Sequence, residues 1–342
     1  MYPYRVFLAY SHEDVDLALQ VVGLLERIGL RPVWDKDLWP GAPFTDEIKK
    51  GIAHAHVFLP LLTKASAKRP WVHQEIGYAM GLDVPVLPVA VGKLPGEMIQ
   101  ELQAVAISPD LHDLDDRLTA RTVEHVVTRA QAASQATFRC AELPEERTRL
   151  LADYARTVLE LGGHGRVRQS GAFSSFCLPN KTIRHPIWAR REGRLPRSDA
   201  YHKLQREERI VLEEHAREAG CDLVIDLTVT LEQQGPGARE ARLETLLAFL
   251  ESMPDEKARV VVRDRTEPGN LLIVGDWFVA ESMTPRPGAG YLQTVFTRHA
   301  PAVLDRLRQF DEEFDELLEE TGTDPSSSRL AAIARIKEAL RH

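Results

Sequence analysis

Five short apolar runs, separated by stretches of helical period, constrain the first third of this chain more than any other feature. RVFLAY (5–10), RPVWD (31–35), HVFLPLLT (56–63), VPVLPVAV (84–91) and AVAIS (104–108) read as strands. Between the first two, DVDLALQVVGLLERIG (14–29) repeats Val15, Leu19, Val22 and Leu25 at helical spacing and stops at Gly29. DEIKKGIAHA (46–55), capped by Thr45, and WVHQEIGYAMGL (71–82) are the next helices. Parallel neighbours need helix-length crossovers, whereas antiparallel ones join through tight turns. Strand and helix in strict alternation therefore predict a parallel sheet with helices on both faces, of the flavodoxin-like, doubly wound kind. Ligands of such sheets bind beyond the carboxyl ends of the strands. Here those ends run into YSHED, DKDLWPGAPF and LTKASAKRPW. KDLWPGAPF (36–44), with two prolines and a glycine, reads as a loop.

A chain of 342 residues has room for a second domain. Residues 1–120 form the α/β domain in this reading, and 121–162 a helical connector. Residues 163–320 form a mixed α+β domain that senses or regulates, and 321–342 a linker with an amphipathic tail helix. The clearest elements of the second half are a helix at 204–220, a strand at 221–231, a helix at 241–253, a strand at 258–264 and a strand or strand pair at 270–282. A strand then runs into a long acidic helix at 291–320. In the tail, Leu330, Ile333, Ile336 and Leu340 recur at helical spacing, which suits association.

Charge and composition exclude several classes. The net charge of −8 gives no global basic field for nucleic acid. A local one exists between Arg184 and Arg209. There Arg190, Arg191, Arg194 and Arg197 lie among Trp188, Tyr201 and prolines, a mixture that suits a nucleotide or single-stranded nucleic-acid activator. The alternative is a solvated charged loop balanced by the acidic run at 311–320. The three cysteines, Cys140, Cys177 and Cys221, stand far apart, so neither a metal site nor a disulfide framework is expected. MYPYRVFLAYSHED lacks the basic and apolar regions of a signal peptide, and no window of about 18 residues is uninterruptedly apolar. A cytoplasmic protein without membrane attachment is expected.

The stretch KRPWVHQE (68–75) bears on chemistry. At i and i+4 of a helix, Trp71 and Glu75 share a face, so the indole can wall the carboxylate from water. A carboxylate so walled has a raised pKa and suits stabilisation of a sugar cation. The other reading of the same spacing is an amphipathic helix with a surface glutamate.

RVFLAYSHED, VWDKDLWPG, HVFLPLLT, WVHQE and VPVLPVAV, in that order and spacing, resemble the Toll/interleukin receptor (TIR) domain over roughly the first 110 residues. TIR domains that hydrolyse NAD carry a glutamate four residues after a tryptophan on the third helix. The resemblance thus implies that Glu75 is the catalytic glutamate. It implies that Tyr10, Ser11, Asp35, Trp39, Phe44 and Trp71 line or gate the substrate site. Trp39, Pro40, Gly41 and Phe44 fall in the so-called BB loop, through which TIR copies associate. Plain packing is the competing account of Tyr10, Trp39 and Phe44. No glycine-rich phosphate loop occurs, so NAD would be a substrate rather than a resident cofactor. The implied activity is NAD glycohydrolysis to nicotinamide and ADP-ribose or its cyclic form, gated by the second domain, in antiphage defence. The alternative is a non-catalytic signalling scaffold acting by self-association. The second half faintly resembles a phospholipase D-like half-domain but lacks its His–x–Lys signature.

Overall fold

The structure is a computed structural model that describes residues 4–34, 46–66, 70–92, 104–133, 138–160, 163–171, 174–177, 199–227, 237–263, 269–283 and 293–341. The chain divides into two compact units, Met1–Ala136 and Thr137–His342.

The first unit is built on strands β1 (Arg5–Ala9), β2 (Arg31–Val33), β3 (Val57–Leu62), β4 (Val89–Val91) and β5 (Val105–Ile107). Every pairing between them is parallel, in the order β2-β1-β3-β4-β5. The helices are α1 (Val15–Arg27), α2 (Asp46–His54), α3 (Pro70–Gly81), α4 (Leu114–Arg117) and α5 (Ala120–Ala133). This is the flavodoxin-like arrangement expected from the alternation of strand and helix. β1 and β3 are buried along their whole length, as central strands covered on both faces must be. Phe7 and Phe58, opposite each other in register, stack at 5.9 Å. Gly51 on α2 has no substitute here, because a Cβ would lie 2.3 Å from the Phe7 ring. Without a side chain at 51 the helix can lie directly on β1. The α1 stripe is rotated from the expected one. Ala18, Val21, Val22 and Leu25 face the core, whereas Val15 and Leu19 are exposed. Both rows obey helical spacing, and only the tertiary contact selects between them.

The second unit carries a seven-stranded mixed sheet in the order β6-β12-β11-β10-β7-β8-β9. Its strands are β6 (Phe138–Ala141), β7 (Val167–Gly171), β8 (Cys221–Asp226), β9 (Ala258–Arg263), β10 (Asn270–Val274), β11 (Phe278–Met283) and β12 (Gln293–Thr297). β7, β8 and β9 are parallel, joined through α7 (Asp199–Ala219) and α8 (Ala238–Ser252); the remainder is antiparallel. One face of the sheet meets a core that includes residues of α6 (Pro144–Glu160), α7, α8 and α10 (Ser328–Ala339). The other packs against α9 (Ala300–Glu320) through Val303, Leu307, Phe310, Phe314 and Leu318.

Two expectations change here. The connector 121–162 is not all helix: FRCA forms edge strand β6 against β12 between α5 and α6. The tail helix is not a free association face. Ala332, Ile333 and Ile336 belong to the unit's own core, and Arg335 donates to the Val262 carbonyl at 2.9 Å. The acidic run 311–320 has partners within the unit too, since Asp311 and Asp315 face Arg168 and Arg259 of the sheet.

Candidate functional site

In the first unit the chain steps from β1 outward to β2, then crosses back to β3 on the opposite side of β1. The order of strands therefore reverses between β1 and β3. At such a switch point the connections leave in opposite directions and a crevice opens at the carboxyl edge. Two segments flank that edge: the Tyr10–Ser11 turn after β1, and the Thr63–Ser66 turn that leads from β3 into α3.

α3 brings Glu75 to this place. Val72, Ile76 and Ala79 are all buried, and Glu75 lies on their stripe at the i+3 position from Val72. A carboxylate thus occupies a position where helical spacing calls for an apolar side chain. Its exposure is 3%. Oε2 is enclosed, with no hydrogen-bond partner among the described residues. Burial pushes the Glu75 carboxyl up to about 8 from an ordinary 4.5. Desolvation alone accounts for that rise, since no cation or donor offsets it. The surface-glutamate reading of WVHQE is excluded by the burial. The side chains flanking Glu75 on its stripe are Val72, Ile76 and Ala79. Trp71 stands in the first turn of α3, and its side chain lies outside the described residues.

Ser11 is fully buried, and its Oγ also has no partner among the described residues. Tyr10 is buried, with its ring 6.0 Å from Trp34 and 6.5 Å from His12. His73 is half-buried, and its Nδ1 likewise meets no partner among the described residues. Ser11, after β1, and Glu75, on the helix that follows β3, thus each carry a polar atom out of contact with water and unmatched among the described residues. An unmatched buried polar atom costs roughly 1–3 kcal/mol, so each one calls for an account, of which a ligand that supplies the missing bond is one.

The sequence did not single out the link between the two turns. Thr63 Oγ1 donates to Asp14 Oδ2 at 2.7 Å, across 49 residues of chain. The same oxygen accepts from the amides of Ala65 and Ser66, both at 3.1 Å. Ser66 Oγ accepts from the Thr63 amide at 2.7 Å and donates back to the Thr63 carbonyl. Hydroxyl–backbone exchange of this kind is a local capping motif. Asp and Thr in turns are too common for sequence alone to reveal it.

Asp35, Trp39 and Phe44 fall outside the described residues, as do Arg190, Arg191, Arg194 and Arg197. Among the described residues no group of three or more His, Cys, Asp or Glu side chains is placed to hold a metal ion. Among them, too, no helix is long and apolar enough to cross a membrane.

The first unit is thus a flavodoxin-like α/β domain in which buried Ser11 and Glu75 carry polar atoms unmatched among the described residues. More particularly, residues 6–122 are a TIR domain, matching the family model of that description over this span. Among solved structures, the TIR domains of the activated Roq1 resistosome directly recognising the pathogen effector XopQ are 20% identical. That match covers 38% of this chain and 85% of that one, with a TM-score of 0.24. TrmBL2, an archaeal chromatin protein described as showing a novel mode of DNA binding, is 10% identical over 57% of this chain and 60% of its own, with a TM-score of 0.28. At such scores neither likeness bears on function. No curated protein sequence matches the chain.

Proposed function

We propose that the TIR domain is an NAD glycohydrolase. In this reading it cleaves the bond between nicotinamide and ribose to give nicotinamide and ADP-ribose or its cyclic form, and Glu75 is the catalytic group. The observation that carries the reading is the state of Glu75, a carboxylate enclosed on the core stripe of α3 with Oε2 unmatched among the described residues. Loss of nicotinamide leaves an oxocarbenium-like ribosyl cation, and an ionised carboxylate held out of water stabilises developing positive charge far better than one in bulk solvent. NAD itself carries a cationic nicotinamide ring, so its arrival favours the ionised form of Glu75. Ser11 Oγ is a further group available to a ribose hydroxyl. Tyr10 and the expected Asp35, Trp39, Phe44 and Trp71 complete the substrate site. The second unit restrains the activity until an activator arrives. A nucleotide or nucleic acid bound around Arg190, Arg191, Arg194 and Arg197 is the proposed trigger, assembly of TIR copies through the BB loop the proposed response, and antiphage defence in the cytoplasm the proposed setting.

The test is release of nicotinamide from NAD by purified full-length protein, dilute and clustered on a multivalent support, beside Glu75→Ala. The expected result is turnover that rises on clustering and disappears in the variant. Absence of release from the clustered wild type would overturn the reading and leave a signalling scaffold as its replacement.

A further inference from the structure

Asp14 stands at the N-cap of α1, where an aspartate ordinarily accepts from the free amides of the first turn. Here it makes no cap bond. Its Oδ2 receives the Thr63 hydroxyl at 2.7 Å instead. Thr63 is buried and Ser66 fully so. Thr63 is held from its own side by the amides of Ala65 and Ser66, so its hydroxyl proton has a fixed direction, towards Asp14. Asp14 lies three residues beyond Ser11, and its amide donates to the Ser11 carbonyl at 2.7 Å. Thr63 and Ser66 lie on the connection from β3 to α3, the helix of Glu75. One side-chain bond therefore joins the turn that carries Ser11 to the turn that aims Glu75. It does so at the carboxyl ends of the two strands between which the sheet order reverses.

We propose that Asp14 and Thr63 are positioning residues that clasp the two walls of the TIR site at fixed separation. They keep Glu75 enclosed and level with the Ser11 turn. Neither residue is placed to touch substrate in this account; both act through the segments they join. The inference rests on the assigned site of the NAD-cleaving reading, but it concerns a structural coupling that exists whatever the site binds. With the clasp open, the β1 and β3 turns separate, water reaches Glu75, and the carboxylate loses both its alignment and its low-dielectric surroundings.

The experiment uses the full chain carrying Thr63→Val, Asp14→Ala or Thr63→Ser, with two readouts. The first is the titration midpoint of the Glu75 carboxyl, followed by NMR with ¹³C-labelled glutamate and assigned through Glu75→Gln. The second is kcat and KM for nicotinamide release from clustered protein. In wild type the midpoint is expected near 8. Thr63→Val and Asp14→Ala should bring it down by at least one pH unit and lower kcat about tenfold, with KM changed less than threefold. Thr63→Ser keeps the hydroxyl and should behave as wild type in both readouts. A merely structural bond would alter melting without moving the Glu75 midpoint. Midpoints in Thr63→Val and Asp14→Ala within a few tenths of wild type would overturn the clasp. If no protein releases nicotinamide, the NAD-cleaving reading falls, while the midpoints still decide for or against the clasp.

Discussion

Two carboxylates, one in each unit, are almost completely removed from water and meet opposite surroundings. Glu75 lies on the apolar stripe of α3 with Oε2 unmatched among the described residues, and burial raises its carboxyl. Asp222, on β8, is fully buried but enclosed by arginines. Arg166 grips it with two bonds of 2.6 Å, and Arg259 adds one of 2.7 Å. Arg168 stands 4.0 Å away, in register with Asp222 on one side as Arg259 is on the other. Asp311 and Asp315 of α9 balance the outer arginines. For Asp222, burial acts to raise the carboxyl, but the bonds from Arg166 and Arg259 outweigh it and hold the group below its ordinary 3.8. A buried acid with every partner supplied by the fold is a structural pin across three strands. Glu75, whose Oε2 meets no partner among the described residues, carries a desolvation cost that the described fold does not offset.

The largest expected effect that would break this comparison is on turnover. Glu75→Ala should lower nicotinamide release by about 10²–10³-fold, the scale of losing one preorganised electrostatic group. Asp222→Asn, lying in the other unit, should leave turnover by the clustered full chain untouched. A residual rate in Glu75→Ala near that of wild type would make Glu75 an ordinary buried acid.

Second in size is the effect of removing the pin. Asp222→Ala leaves Arg166, Arg168 and Arg259 facing one another. Loss of one partner from a buried ion cluster costs about 3–5 kcal/mol, here towards the lower figure because Arg166 and Arg259 keep 25% and 31% of their side chains in water. Urea denaturation of the second unit should show a loss of about 3 kcal/mol. The pH signs sharpen the contrast. Asp222 has a depressed folded value, so its contribution is present above 3.8 and is lost as pH falls through the folded value. Glu75 has a raised one, so the fold is unaffected by it below 4.5 and is destabilised as pH climbs from 4.5 to about 8. The second unit should therefore be the acid-sensitive one.

How much of this was legible in the sequence depended on how local the cause was. β1 and β3 were, because a buried central strand is a continuous apolar run and its crossover a period of 3.6; the edge strands β2 and β5, partly exposed, were legible through their place in the same alternation. β6 was not: FRCA is four residues long, with an exposed arginine and cysteine side by side rather than in alternation, and only pairing with β12 makes it a strand. On α1, Val15 and Leu19 satisfied the spacing as well as Ala18 and Val21 did, so the buried face was ambiguous. Glu75 was legible as a candidate through WVHQE. A carboxylate walled from water was one of the two readings of that spacing; the choice between them was not legible, because the Val72–Ile76–Ala79 stripe that encloses it follows from the docking of α3 on the sheet. The Asp14–Thr63 bond and the Arg168–Asp222–Arg259 row join residues far apart in the chain, where no local pattern reports them.

The third effect inverts the usual cost of altering a buried residue. Glu75→Gln keeps the size of the side chain and removes the penalty of an ionisable group without a partner. With a folded value about 8 against 4.5 unfolded, and about 1.4 kcal/mol per pH unit, the carboxylate costs roughly 3 kcal/mol at pH 7. The variant should be more stable than wild type by about 2–3 kcal/mol at pH 7, with the gap closing towards pH 4.5. A destabilised Glu75→Gln at pH 7 would mean that the carboxylate has a partner in the folded protein and that the contrast with Asp222 fails.

The smallest effect is the pH dependence of turnover, and it connects the comparison to chemistry. The catalytic form of Glu75 in the proposed reaction is ionised, while the free protein holds it protonated below about 8. Because kcat/KM reports the ionisation of the free enzyme, it should fall about tenfold per pH unit below that midpoint and level off above it. In kcat the same limb should lie at lower pH, since bound NAD brings a cationic ring to the site and favours the carboxylate. Thr63→Val should move the kcat/KM limb towards the kcat limb by admitting water before substrate does. A kcat/KM profile flat from pH 6 to 9 would separate the buried carboxyl from the rate and return Glu75 to the same structural category as Asp222.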